Sequence, residues 1–102
     1  MITDSKKTLI RVYTDDSKCD LDSILDRLSK NKEITGLTVF RGIAGFGPNH
    51  HLHTANLLDL SSQLPLVIEF FHECSGVDLM IEQIHQLIDQ AHIVHWDVNL
   101  SF

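Results

Sequence analysis

The stretch TVFRGIAGFG, residues 38–47, carries the strongest local signal in the chain and marks the middle of the fold. A run of β-forming residues leads directly into three of the chain's five glycines. Glycine is used where φ must be positive or where the backbone must approach another group closely. The pattern therefore predicts a strand over residues 37–43 that ends in a shaped loop, with Arg41 at its mouth.

The segments on either side of this stretch predict alternating strands and helices. Before it, residues 7–14 have the pattern of a strand, and Asp20 can cap a helix because its carboxylate accepts from free N–H groups. After it, residues 64–71 predict a buried strand, Ser75 can cap a second helix, and residues 93–100 predict a final strand. The order β-α-β-β-α-β is that of the α+β ferredoxin-like sandwich, an antiparallel sheet with two helices on one face.

The third strand is predicted to be apolar on both faces. Side chains alternate between faces along a strand, so Leu66, Ile68 and Phe70 share one face and Glu69 lies on the other. In the last strand the apolar set is expected to face the helices. That set is Val94, Trp96, Val98 and Leu100. An open sheet face that carries apolar side chains invites another chain, which predicts an oligomer.

Two charged residues are predicted to meet on the sheet face away from the helices. The first and third strands are neighbours in this topology. If Ile10 and Val12 point towards the helices, Arg11 points away from them, where Glu69 is also expected. Burying either charge alone is costly, whereas pairing satisfies both. We therefore expect a structural ion pair; the alternative role for Glu69 is that of a general acid or base.

The composition limits the classes of function. A chain of 102 residues with 43% hydrophobic and 22% charged residues is expected to fold as one globular domain over residues 1–102. Its net charge of −6 argues against nucleic-acid binding, and no apolar run is long enough for membrane insertion. The polar N-terminus does not resemble a signal peptide, which predicts a cytoplasmic protein with Cys19 and Cys74 as free thiols.

The glycine-rich loop is the first candidate ligand site. The planar guanidinium of Arg41 suits a phosphate or carboxylate. The backbone N–H groups of Gly42, Gly45 and Gly47 can cradle an anion. Two structural alternatives remain open: Arg41 can form an ion pair at the strand end, and the glycines can serve a tight turn with a β-bulge.

Three histidines follow in the same loop, at His50, His51 and His53. Histidine is the commonest metal ligand, but no acidic or cysteine partner lies at ligand spacing, so no metal site is predicted. His53 is expected to bind loop backbone together with Thr54. The chain has no nucleophile and base at a recognisable spacing, so no catalytic residue is assigned and a non-enzymatic role is predicted.

Three segments resemble a known family: TVFRGIAGFG (38–47), HT (53–54) and LSSQLPLVIE (60–69). They are similar to small bacterial proteins of the domain of unknown function 190, a branch of the P-II-like signalling proteins. The resemblance implies a ferredoxin-like fold, a homotrimer whose sheets face its axis, and a flexible loop at about 42–63. Relatives in the P-II group bind adenine nucleotides between subunits and touch partner proteins with that loop. Some members of the family are associated with genes for ion channels.

The chain departs from the P-II pattern at three points, the first being Thr14, which stands where the family commonly has glycine. Residues 42–63 contain no tyrosine of the kind that P-II proteins modify in this loop. No Lys or Arg follows Leu64, which disfavours a triphosphate and favours a smaller charge such as AMP or a cyclic nucleotide.

The residues and the resemblance together predict a trimeric signalling protein that senses a small anionic metabolite, with an adenine nucleotide as the candidate ligand. The predicted ligand-binding set is Arg41, Gly42, Gly45, Gly47, His53 and Thr54. The first alternative is a constitutive oligomeric adaptor for a membrane transporter or ion channel, without a small-molecule ligand. A small dimeric enzyme, for which the fold offers only an analogy, is the second alternative.

Overall fold

A computed structural model describes residues 3–54 and 64–102 of the chain. Its elements, in chain order, are β1 (Asp4–Asp15), α1 (Leu21–Ser29), β2 (Ile34–Arg41), β3 (Ala44–Gly45), β4 (His53–Thr54), β5 (Pro65–His72), α2 (Val77–Leu87) and β6 (His92–Ser101). The predicted α+β ferredoxin-like order is confirmed, with a short β3–β4 hairpin added between β2 and β5. The rest of the loop predicted as flexible, residues 55–63, lies outside the described residues.

Four strands form one antiparallel sheet in the order β2-β5-β1-β6. The two central strands, β1 and β5, are aligned so that Arg11 stands opposite Glu69. Strands β3 and β4 pair with each other outside this sheet, with Ala44 opposite Thr54. The edges of the main sheet are therefore β2 and β6.

The hydrophobic core lies between the sheet and the two helices. In β5, buried and half-buried residues alternate along the whole strand, and the predicted face of Leu66, Ile68 and Phe70 is fully buried. The helices contribute the buried residues Ile24, Leu28, Met80 and Ile84, and Ile88 is buried directly after α2. This alternation confirms the predicted faces of the third strand. Within residues 3–54 and 64–102, no helix combines the length and the apolar character needed to cross a bilayer.

One of the two predicted helix caps is confirmed. The Asp20 carboxylate accepts a hydrogen bond from the Ser23 N–H at 3.3 Å, which satisfies a free donor of α1. The prediction for α2 is wrong, since its N-cap residue is Gly76 rather than Ser75. Gly76 has φ 79°, a left-handed conformation that glycine adopts without a Cβ clash, and helical geometry begins at the next residue.

Strand boundaries differ from the sequence prediction where pairing rather than composition sets them. The second strand begins at Ile34, before Gly36, because both residues pair with the end of β5 across a register shift. It ends at Arg41, two residues earlier than predicted. One further hydrogen bond joins the chain after β2 to the start of β5: the Gly42 N–H donates to the Pro65 carbonyl, at 2.8 Å.

The prediction for the apolar set of the last strand is wrong. The register of β1 and β6 places Val94 opposite Arg11 and Trp96 opposite Leu9. Directly paired residues of antiparallel strands project on the same face, so this set lies away from the helices. Ile93, from the other set, packs against the core. Alternation separates the two sets of residues, but only the register with β1 shows which set faces the core.

The sheet face away from the helices, here called the far face, is therefore apolar across all four strands. Its larger apolar members are Leu9, Tyr13, Phe40, Val67, Phe71, Val94 and Trp96. Phe40 is 50% exposed, and Val94 and Trp96 are each 43% exposed. Such a continuous apolar surface is uncommon on a protein that stays monomeric.

Candidate functional site

An open cleft of about 990 Å³ lies at one end of the sheet, beneath the β3–β4 hairpin. The register explains why distant segments meet there. The end of β1 lies beside the start of β5, with Asp15 opposite Pro65, and beside the start of β6, with Tyr13 opposite His92. The hairpin leaves the sheet at the end of β2 and closes the fourth side.

Two of the loop glycines are needed for close approach. A Cβ on Gly42 would stand 3.0 Å from the Pro65 Cβ, and a Cβ on Gly45 would stand 2.7 Å from the Pro65 Cγ. At Gly47 the described part of the chain leaves open space. Within residues 3–54 and 64–102, φ is positive only at His50, Gly76 and Gln90, so none of the three loop glycines serves a left-handed turn.

The amide of Gly42 is already occupied. Its N–H donates to the Pro65 carbonyl, so it is not free to donate to an anion in this arrangement. Of the predicted ligand set, Gly42, Gly45, Gly47 and His53 do line the cleft. The structure thus brings together the glycine loop and one histidine, with the glycines acting mainly as packing positions.

Arg41 forms an ion pair with Asp16, from the turn after β1. This ion pair at the strand end is the structural alternative that the sequence left open for Arg41. The guanidinium side chain is 52% exposed. Arg41 and Thr54 both lie outside the described lining of the cleft.

Several lining residues were not singled out by the sequence, and they come from the two other segments that reach this end of the sheet. They are Tyr13, Thr14, Lys18, Gln90 and His92. Thr14 Oγ1 is buried with no hydrogen-bond partner among the described residues. Gln90 has φ 55°, which is uncommon for a residue with a Cβ. The available signal was topological: in a β-α-β-β-α-β sheet the first strand ends where the third and last begin.

Histidines form the largest group of titratable side chains in the lining. His51 and His53 come from the hairpin, and His92 comes from the start of β6. The rings of His51 and His53 lie 4.9 Å apart, centroid to centroid, and are tilted by 37°. Across residues 3–54 and 64–102, no group of three or more His, Cys, Asp or Glu residues is placed to hold a metal ion.

The Arg11–Glu69 pair lies on the far face, away from the cleft. Arg11 Nε and Nη2 donate to the same Glu69 oxygen, at 3.0 and 2.5 Å. The hydrogen bond that Arg11 donates to Glu69 is the main cause that raises the pKa of the Arg11 guanidinium. Arg11 Cζ also lies 5.5 Å from the centroid of the Trp96 ring. The pair therefore gives the centre of the apolar far face a neutral, hydrogen-bonded polar group.

Comparison with known proteins shows which family this chain is similar to. The family model DUF190, described as "Uncharacterized ACR", matches residues 7–100. The chain belongs to the DUF190 family. Two curated relatives are UPF0166 proteins of Aquifex aeolicus (strain VF5). One is 33% identical over 84 residues, which are 78% of this chain and 79% of the relative. The other is 36% identical over 64 residues, covering 63% and 65%.

Solved structures similar to this DUF190 chain include CPII from Thiomonas intermedia K12, a nitrogen regulatory PII-like protein. The form bound to ADP and bicarbonate has a TM-score of 0.65 at 14% identity, covering 96% of this chain and 91% of CPII. The apo form has a TM-score of 0.62 at 11% identity, covering 100% and 99%. The DUF190 chain therefore has the fold of the P-II-like proteins.

Proposed function

We propose that this DUF190 protein is a non-enzymatic, P-II-like regulatory protein. It assembles as a trimer through the far face, binds a small anionic metabolite in the cleft, and acts on a partner protein through the segment between β2 and β5. The observation that carries the proposal is the position of the cleft. Its lining includes both the base of that segment and three other parts of the sheet end, so a ligand there can change how the segment is held.

The cleft has the dimensions of a small-molecule site. Its volume of about 990 Å³ is at the upper end of the usual range for ligand pockets and is large enough for a nucleotide. Apolar residues, among them Ala44, Leu66 and Ala91, lie beside a few polar groups, which is the usual make-up of such pockets. The adenine nucleotide is the candidate because CPII, a protein of the same fold, is bound to ADP in its solved structure.

The proposed ligand set keeps the residues predicted from the sequence. Gly42, Gly45, Gly47 and His53 belong to it as lining residues. Arg41 and Thr54 belong to it as residues at the edge of the cleft. For Arg41 to reach an anion, its ion pair with Asp16 must open, so ligand binding and that ion pair compete.

The far face supports the proposed assembly. It is apolar on every strand, and its central charges are already paired, so a second copy can cover it without stranding a buried ion. The far face also has a shallow pocket of about 270 Å³, into which a side chain of a second copy can pack. It is lined by Arg11, Tyr13, Phe40 and Val67. The choice of three subunits rather than two follows the P-II-like fold.

The hairpin and its flanks support the proposed contact with a partner protein. Ile43 is 80% exposed, Phe46 63% and Leu52 61%. Three large apolar side chains on one short segment suit burial against another protein. The hairpin is held by its own backbone pairing, with Ala44 opposite Thr54, and this observation favours the second candidate function, a constitutive oligomeric adaptor for a membrane transporter or channel.

The test measures thermal stability and amide exchange with AMP, ADP, cyclic AMP and bicarbonate. A ligand that binds only the folded protein raises the melting temperature by mass action. ADP is expected to do so and to protect residues 42–54 from exchange. Gly45→Ala is expected to weaken binding, since its Cβ would collide with Pro65, and Arg41→Ala is expected to weaken it by removing a cation.

Arg27→Ala is the matched control for Arg41→Ala, because Arg27 lies exposed on α1, outside the lining of the cleft, so this variant should bind ADP as the wild type does. An intact trimer that shows no response to any of the four compounds would contradict the sensor and favour the adaptor. A monomer at micromolar concentration would contradict both.

A further inference from the structure

The permanent charges that line the cleft cancel. Among the described lining residues, Lys18 carries the one permanent positive charge and Asp15 the one permanent negative charge. They face each other, with Lys18 Nζ 3.8 Å from Asp15 Oδ2. Arg41, outside the lining, is held by Asp16. An anion that enters the cleft therefore meets no surplus of permanent positive charge.

The remaining source of positive charge is imidazole. His51 and His53 face the cleft from the hairpin, and His92 faces it from the start of β6. The other titratable groups of its described lining are Tyr13, Asp15 and Lys18. Histidine is the side chain that ordinarily changes charge between pH 5 and 8, whereas tyrosine, aspartate and lysine ordinarily do not.

Two of these imidazoles are close enough to influence each other. With their centroids 4.9 Å apart, His51 and His53 are close enough to contact the same anion. A neighbouring anion favours the charged form of an imidazole. Protonation and anion binding then strengthen one another by the same free energy, as linkage requires.

We propose that His51, His53 and His92 supply the charge that holds the anion, so that the ligand enters the cleft together with a proton. The proposal rests on the proposed function, since it concerns the same cleft. It limits the ligand class to compounds with one or two phosphates. Three imidazoles that are only partly protonated carry too little positive charge to balance a triphosphate. It also makes the site respond to metabolite concentration and to pH at once.

The size of the effect follows from the proton count. If each ligand takes up one proton, the affinity falls about tenfold for each pH unit above the range in which histidine titrates. A site built on lysine or arginine shows no such fall between about pH 6 and pH 8. The proton count is therefore the quantity that distinguishes an imidazole site from a site of permanent charge.

The experiment is isothermal titration calorimetry of the full chain with ADP, at about pH 6.5 and pH 8, in buffers of different ionisation enthalpy. The dependence of the heat on the buffer gives the number of protons taken up. The variants are His51→Gln/His53→Gln/His92→Gln in the cleft and, as control, His85→Gln/His95→Gln, two exposed histidines outside its lining. ADP's own ionisation is common to all three proteins and cancels in the comparison.

The expected result is proton uptake and weaker binding at the higher pH in the wild type and the control, with both effects lost in the cleft variant. Equal proton uptake in all three proteins overturns the inference and leaves the proposed function standing. Absence of ADP binding at both pH values overturns the proposed nucleotide ligand, and the inference with it. The unfolding midpoint of each variant, measured beside the titrations, shows that a loss of binding is not a loss of fold.

Discussion

The two faces of the main sheet are built from similar residues, yet within residues 3–54 and 64–102 only one of them is covered by other elements. On the helix side, Ile10, Val12, Ile68 and Phe70 have no exposed surface at all. On the far face, Tyr13 of β1 and Phe40 of the edge strand β2 stay 41% and 50% exposed. Apolar area contributes to stability only when it is removed from water. The apolar area of the far face therefore does not stabilise the single chain, but its burial would stabilise an assembly.

The two faces also differ in where their polar residues lie. The far face carries a charged pair at its centre, Arg11 with Glu69, whereas on the helix side the buried polar residues Thr8 and His72 lie where β5 ends, outside the core cluster. A buried pair adds little stability but gives an interface a defined orientation when both partners keep their hydrogen bonds. The difference suggests a division of roles, in which the helix side holds the chain folded and the far face selects its partner.

The largest expected effect is the replacement of a phenylalanine on the helix side. Phe70→Ala should lower the free energy of unfolding by about 3–5 kcal/mol, since it leaves a cavity in the core. Phe40→Ala, on the far face of the neighbouring strand, should change it by less than about 0.5 kcal/mol in dilute protein. Urea denaturation at low concentration measures both. Equal losses would show that the two faces do not differ as described.

The next effect concerns association and uses two adjacent residues of β6. Trp96 lies on the far face and His95 on the other, and both are exposed. Trp96→Ala should weaken assembly by about 2 kcal/mol or more, roughly thirtyfold, as expected for an interface aromatic. Light scattering over a dilution series should then show the mass falling from three times 11.6 kDa at a higher concentration than in the wild type. His95→Ala should match the wild type; an equal shift in both variants would place the interface elsewhere.

The smallest effect uses the two cysteines as reporters. Cys19 packs against the core on the helix side, and burial raises the pKa of its thiol, whereas Cys74 is exposed. The thiolate is the reactive form, so a raised pKa moves the reaction of Cys19 to higher pH and slows it near neutrality. Cys74→Ser leaves Cys19 as the sole thiol for the measurement. Its rate should be unchanged by dilution; a rate that rises as the assembly dissociates would show that the helix side opens as well.

The faces of β5 were predictable because that strand contains its own marker. Glu69 interrupts an apolar run, and Arg11, in a second strand, supplies the opposite charge, so the pair fixed which positions share a face. The last strand has no such marker. Its apolar set was assigned to the core by composition, but β6 is an edge strand, and His95 and Asp97 stay exposed on its helix side. Position in the sheet decided the outcome, and position is not a local property of the sequence.

The candidate site was predictable in location and only partly in membership. The glycines marked the loop because close packing on Pro65 excludes a side chain at Gly42 and Gly45. The position of Arg41 depended on Asp16, which lies in a turn 25 residues earlier. Lys18 and His92 come from segments whose sequences carry no ligand motif. Topology brings them together, so topology has to be used before residues are assigned to a site.

The hydrogen bond from Gly42 to Pro65 closes the ladder between β2 and β5, so the chain leaves the sheet and returns to it at a single point. The β3–β4 hairpin is thus an addition to a four-stranded sheet whose pairing does not include it. Loop closure costs rise slowly with length, by about 0.6 kcal/mol for each doubling. The segment can therefore lengthen, shorten or change its sequence between relatives while the sheet and its far face stay the same. One scaffold can in this way accept inserts of different length and sequence.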